Sequence, residues 1–184
     1  MRYPPEHKAA ARTRLLEAGG ALVKKAGFAG TGMDALAAAA GVTTGAVYSQ
    51  FRSKTELLHA MVDHELSRTI DAFAGKSGEE LKRTLAWYTS ARHVDHPEHG
   101  CAIPSLAPEI ARADEATRHH FEDLLKQIVA LLEPATHEPT QAWALLAQLV
   151  GGVMLARAVP NAQTQHDILA SVQAAAADML KPQL

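Results

Sequence analysis

The sequence of 184 residues contains a single cysteine, Cys101, which excludes an intrachain disulfide framework and a multi-cysteine zinc module. Aromatic residues are sparse at 5%, so large side chains can anchor only a few places in the core. No apolar core follows the N-terminal Met1-Arg2-Tyr3-Pro4-Pro5-Glu6-His7-Lys8, so no signal peptide is expected and the chain reads as cytoplasmic. No stretch sustains a period-two alternation between turn signals, so no sheet is expected. A nucleophile elbow, a phosphate-binding glycine loop and a paired-metal motif are all missing, which argues against an enzyme. Long apolar runs are scarce too. Residues 139–156 carry no formal charge and approach the lower length limit for a membrane span. They include Thr140, Gln141, Gln148 and a Gly151-Gly152 pair, and no second span accompanies them. A helix buried on all sides, with no membrane partner, is the reading.

Alanine fills much of the chain instead, with 36 residues, and helix propensity is correspondingly high. Apolar residues recur at helical spacing, as in Leu15, Leu22, Val23 and Ala26, or Phe121, Leu124, Leu125, Ile128, Leu131 and Leu132. The expected fold is all-α, with about nine helices separated by caps and breakers. The first runs to Ala26 and stops at Gly27, and Thr31 with Asp34 forms a capping pattern for the second, which ends at Gly41. Thr43 caps a short third helix, and Ser53 with Glu56 opens a long fourth. A fifth is expected from Glu79 to His93, then a loop to Cys101 and a short helix started by Pro104. Asp114, Thr140 and Thr164 begin the remaining three.

Charge is nearly balanced, with 18 Lys and Arg against 20 Asp and Glu. The balance conceals a partition. Residues 1–54 carry a net +5 and the remaining 130 residues a net −7, as for a nucleic-acid-binding head on an acidic body. Two regions follow: residues 1–54, a basic head suited to nucleic acid, and residues 55–184, an acidic body.

The most informative stretch is 31–58, TGMDALAAAAGVTTGAVYSQFRSKTELL. Two short helices flank a Gly41-Val42-Thr43 turn, as a helix-turn-helix requires. Leu36, Ala39, Val42, Val47 and Phe51 supply an apolar seam. The exposed side of the third helix carries Thr44, Gly45, Ser49 and Gln50, short hydrogen-bonding groups suited to phosphates and base edges. In these residues the chain resembles the TetR/AcrR family of bacterial transcriptional repressors. The matching pieces are Gly27-Phe28, Thr31, Leu36-Ala37, Ala40-Gly41-Val42, Gly45, Tyr48, Phe51, Lys54 and Leu57-Leu58, over about residues 7–60. Gln50 departs from the aromatic or His common at its position, and Val23 from an aromatic in the first helix.

Roles then follow position by position. Lys54, Thr31 and Thr43 face phosphates, with Thr31 and Thr43 also serving as caps. Tyr48 reaches the backbone across the groove, its alternative being a half-buried packing role. Gly45 permits close approach, and Thr44, Ser49 and Gln50 are the candidates for base edges. Lys24 and Lys25 read as solvated helix surface.

The resemblance implies a homodimer through the last two helices, reading a palindromic double-stranded operator. It also implies a pocket for a small apolar or aromatic effector. Trp87, Tyr88, Phe121 and Trp143 are the candidate lining residues, with plain core as their alternative. No cofactor is expected. The loop His93–Cys101 gathers His93, His96, His99, Asp95, Glu98 and Cys101. A polar surface loop is the plainer reading of it, and no metal site is assigned. Cys101 itself has two readings: a redox or alkylation sensor with His99 near its thiol, as in a subset of the family, or a small buried hydrophobe.

Overall fold

The structure, a computed structural model, describes residues 5–181, with side chains from residue 9 onward. Arg2 therefore lies outside the described residues, and the side chains of Glu6 and Lys8 are not described. Ten α-helices account for most of the described chain: α1 (Pro5–Ala26), α2 (Met33–Ala39), α3 (Thr44–Gln50), α4 (Lys54–Phe73), α5 (Gly78–Tyr88), α6 (Ala91–Asp95), α7 (Ile103–Ile110), α8 (Glu115–Leu132), α9 (Pro139–Ala158) and α10 (Ala162–Met179). Short 3-10 turns follow α6 and α8, at Pro97–His99 and Glu133–Ala135. The described residues contain no strand, only an isolated bridge between Thr136 and Leu180. The all-α expectation holds.

The tenth helix arises where a single fifth helix was expected. The Thr89 hydroxyl donates to the Leu85 carbonyl at 3.0 Å and that of Ser90 to Trp87 at 2.7 Å. Side chains that bond their own helix's carbonyls bend it or end it. Ser90 then accepts from the His93 amide and caps α6, so His93 begins inside a helix and not in an open loop. Other stops fall where glycine predicts them: Gly27 and Gly41 hold φ of +79° and +65° after α1 and α2.

Caps divide similarly. Thr43 Oγ1 accepts from the Ala46 amide at 3.1 Å, and Ser53 Oγ from Glu56 at 3.0 Å. The Glu56 carboxylate reaches back one residue further than a capping box would, to the Arg52 amide. The Thr31–Asp34 cap does not form. Gly32 is the N-cap of α2, without a side-chain bond, and the Thr31 hydroxyl donates instead to the Gly27 carbonyl.

Helix α1 lies in the grip of α2, α4 and α7. Leu15, Leu16, Val23, Leu36, Val47, Phe51, Leu57 and Met61 are buried together, with Arg12 over the Phe51 ring at 4.3 Å. Ala37, not Ala39, completes the seam between α2 and α3, because Ala39 faces solvent. Gly19 and Gly20 let α1 come close to α4: a Cβ at Gly19 would sit 2.7 Å from the Met61 methyl, and one at Gly20 would collide with the Glu65 carboxylate. Farther along, α4 packs along α8, and α9 along α10.

Helix α9 is not buried on all sides. One face, with Leu145, Leu149 and Val153, is core, while Trp143, Met154 and Leu155 stand 45%, 39% and 60% exposed. By length and composition it could cross a membrane, yet it packs on α6, α7, α8 and α10. Of its glycine pair, Gly152 serves contact within the chain, where a Cβ would come within 2.7 Å of Val172 on α10. Gly151 has open space beside it.

The close approach of α1 to α4 predicts that Gly20→Ala lowers the urea midpoint, at a cost of about 1–3 kcal/mol from overpacking against a fixed carboxylate. An unchanged midpoint would mean that the two helices separate freely.

Candidate nucleic-acid interface and cavity

Helix α3 is seven residues long and held by one buried side chain, Val47, which is fully enclosed, and by Phe51 just past its end. Its outer face presents Gly45, Tyr48 and Ser49. Tyr48 is 53% exposed, so about half of its surface is open to a partner. Gly45 has no neighbour nearer than the Thr43 hydroxyl at 3.9 Å from a notional Cβ, so the backbone there is open to close approach. Thr43 is exposed as the cap. Thr44 is half-buried and donates to Asp34 Oδ1 at 2.6 Å, an acid that the sequence pattern placed elsewhere. The Ser49 hydroxyl donates to Ala46 at 2.7 Å, and Gln50 is half-buried.

Lys54 opens α4. Its ammonium donates to the Ala29 carbonyl at 3.0 Å and lies 5.0 Å from the Phe28 ring centre, tying the turn after α1 to the start of α4. Thr31 is 4% exposed, its hydroxyl is spent on Gly27, and its amide donates to Phe28. It therefore supports the turn and presents neither group outward.

Lys24 corrects the sequence reading most sharply. It is 5% exposed and not solvated surface. Its ammonium meets Glu65 Oε2 on α4 at 2.8 Å and the Gly100 carbonyl at 3.1 Å. Lys25 does point outward, toward Glu98 at 3.5 Å.

Beside Glu65 lies an open cavity of about 540 Å³ between α4, α5 and residues 99–101, within the usual size range of small-molecule pockets. Phe73, Trp87 and Tyr88 line it, with Thr69, Gly100 and Cys101. Two of the four expected lining residues, Trp87 and Tyr88, are thus brought together. Phe121 lies in a separate depression between α7 and α8, and Trp143 is on the exposed face of α9.

The loop that looked like a polar surface is anchored by His93, which is 1% exposed. Its Nδ1 donates to the Tyr88 carbonyl at 2.6 Å, leaving Nε2 to accept the Cys101 amide at 3.0 Å. Acceptance at Nε2 requires the neutral ring, and burial lowers the His93 pKa. Gly100 has no room for a Cβ against that ring. Arg157 completes the knot, donating to the His93 and Val94 carbonyls. His96 and His99 face solvent near Glu98, and among the described residues no group of three His, Cys, Asp or Glu could hold a metal ion. Cys101 is buried, and burial pushes its thiol pKa up despite Tyr88 and Thr69 beside it. The ring touching this residue is His93, through the backbone, and not His99.

Comparison with known proteins agrees with the arrangement of α1–α4. Residues 15–61 match the family described as bacterial regulatory proteins, tetR family. The HTH-type transcriptional repressor NemR of Escherichia coli K12 is 29% identical over 131 residues, which span 67% of this chain and 66% of that protein. The chain is thus similar to proteins of the TetR family. Solved TetR-family structures share its fold over nearly the whole length. The reduced form of E. coli NemR superposes with a TM-score of 0.74 at 22% identity, covering 95% of this chain and 100% of that one. A TetR regulator from Chloroflexus aurantiacus does so with a TM-score of 0.74 at 20% identity, covering 97% and 100%.

Sequence reasoning on this chain missed Lys24, Glu65, His93 and Arg157. A signal existed for the first two. Lys24 follows Leu16, Gly20 and Val23 on one helical stripe, and Glu65 sits between Met61, Val62, Leu66 and Thr69 on another. A charge within an apolar stripe needs a partner, and here the two stripes supply each other's.

The raised Cys101 pKa predicts slow alkylation. Iodoacetamide at pH 7.5 should modify the folded protein at least tenfold more slowly than the urea-unfolded chain, with the rate still climbing past pH 9. Equal rates would place an activated thiolate at this position.

Proposed function

We propose that the chain is a homodimeric, ligand-responsive transcriptional repressor that binds a palindromic operator. Residues 1–54 form its DNA-binding domain and residues 55–184 its ligand-binding and dimerisation domain. The observation that carries the reading is the outer face of α3. There a large phenol, Tyr48, stands exposed beside an unobstructed Gly45, on a helix anchored from behind by Val47. Such a face has little reason to remain bare unless a groove covers it.

In this reading Tyr48, Thr43 and Lys54 position the protein on phosphates, while Thr44, Ser49 and Gln50 meet base edges, Gln50 favouring adenine. One seven-residue helix is too small for specific binding alone, so two half-sites are needed. The exposed face of α9 with Trp143, Met154 and Leu155 supports a two-fold interface with the same face of a second copy. The sense of regulation, repression, is carried over from NemR, and a cytoplasmic location follows from the DNA target.

The effector is a small molecule in the cavity. Its occupant would meet Glu65 and Gly100, the two acceptors that Lys24 of α1 holds. A ligand that prefers a displaced Gly100 segment or α4 would shift the population away from the DNA-matching head spacing. Switching by oxidation or alkylation of Cys101 is the second reading, and the raised thiol pKa favours the small-molecule mode over it.

The test is a mobility shift of the purified protein with genomic fragments, followed by footprinting of those retained. The protected region should have two-fold symmetry. Tyr48→Ala with Lys54→Ala should weaken binding at least tenfold, and Lys54→Ala alone should flatten the salt dependence by about one phosphate contact. An asymmetric footprint, or undiminished binding by the double variant, would contradict the proposal.

A further inference from the structure

The cavity beside Glu65 carries more than apolar lining. Its charged residues are Arg68 on α4, Lys76 after it, Arg83 and Glu80 on α5, and Glu65. Lys24 neutralises Glu65 from the far side, which leaves three cations against the single carboxylate of Glu80. This excess stands in a region, residues 55–184, whose net charge is −7. Lys76 is steadied by its bond to Thr84 Oγ1 at 3.1 Å. Arg68 and Arg83 close no hydrogen bond or ion pair with any described residue. Arg68 borders a second depression that holds Asp63 and Asp71, yet it pairs with neither.

Two further groups await a partner in the same cavity. Trp87 leaves 44% of its surface uncovered, with its other face stacked on His93 at 4.9 Å between ring centres. Tyr88 is 4% exposed, and its buried hydroxyl has only the weakly accepting Cys101 thiol beside it, with no oxygen or nitrogen partner. A buried hydroxyl left without such a partner is costly, and an acceptor arriving in the cavity would relieve that cost. Cations at the rim, an open indole and a buried donor at the floor specify one kind of guest.

We infer that the effector is an organic anion with an aromatic or comparably flat apolar body. Its carboxylate, or a group of like charge, lies between Arg68 and Arg83, its ring lies on Trp87, and its far end offers an acceptor to Tyr88. Arginine suits the first task because its planar fork matches a carboxylate. Organic cations are disfavoured by the same three charges. This rests on the proposal that the cavity is the effector site, and it narrows the effector from apolar or aromatic molecules in general to anionic ones.

The test is calorimetric titration of the full-length protein, free of DNA, with 6-methoxy-2-naphthoate, 6-methoxy-2-naphthamide and (6-methoxy-2-naphthyl)methylammonium as probes, whose ether oxygen supplies the far acceptor. The carboxylate should bind at least tenfold more tightly than the amide, and the ammonium most weakly. Arg68→Gln with Arg83→Gln should remove that tenfold preference by weakening the carboxylate more than the amide, with the melting temperature unchanged because both side chains are exposed. Trp87→Ala should weaken the carboxylate and the amide alike. Equal affinity for carboxylate and amide, tighter binding of the ammonium, retention of the preference by the double arginine variant, or no binding of any probe at millimolar concentration would overturn the inference. The regulator reading fails separately, by loss of symmetric DNA binding in the unliganded protein.

Discussion

The ion pair between Lys24 and Glu65 joins α1 to α4 in an interior where neither charge reaches water. Their side chains are 2% and 3% exposed and the contact is 2.8 Å. Desolvating two charges is expensive, and the pair need not stabilise the fold more than two well-packed apolar residues would. Its consequence is a different one. Each charge makes the other obligatory, so α1 cannot slide or rotate on α4 without stranding one of them. Gly19 and Gly20 remove the side chains that would hold the helices apart, and the second bond from Lys24, to the Gly100 carbonyl, pulls in the segment that carries Cys101.

From that constraint the rest of the arrangement follows. Helix α1 bears the packing of α2 and thereby of α3, so the orientation of the exposed Tyr48 face depends on where α1 sits. On the other side, Glu65 and Gly100 are wall residues of the cavity. His93 and Arg157 fix the Gly100 segment through neutral-ring and guanidinium bonds to α5 and α6. The Lys24–Glu65 pair therefore sits where the cavity wall meets the apolar core that α1 shares with α2 and α3.

Much of this was legible in the sequence, for identifiable reasons. Turn chemistry is local, so Gly27, Gly41, Thr43 and Ser53 mark helix ends that the structure retains. The helix-turn-helix spacing is local as well, and it placed Gly45, Tyr48 and Ser49 on an open face correctly. What failed depends on partners distant in sequence. Thr31 reads as a cap until Gly27 claims its hydroxyl, and Lys24 reads as surface until Glu65, 41 residues on, faces it. The break at Thr89-Ser90 was hidden because those residues tolerate helix and act only through hydroxyl bonds to the preceding turn. Two of the four aromatic candidates, Trp87 and Tyr88, line the cavity. Phe121 and Trp143 have the same chemistry as Trp87 and Tyr88, and only tertiary packing sends them elsewhere.

The most direct test of the buried pair is urea unfolding of Lys24→Met, Glu65→Leu and the double variant, compared with the parent chain. If the pair locks α1 onto α4, Lys24→Met alone should cost about 3–5 kcal/mol by stranding the Glu65 carboxylate, and the double variant should recover most of that loss. A Lys24→Met protein as stable as the parent, or a double variant whose loss equals the sum of the two single ones, would contradict the account.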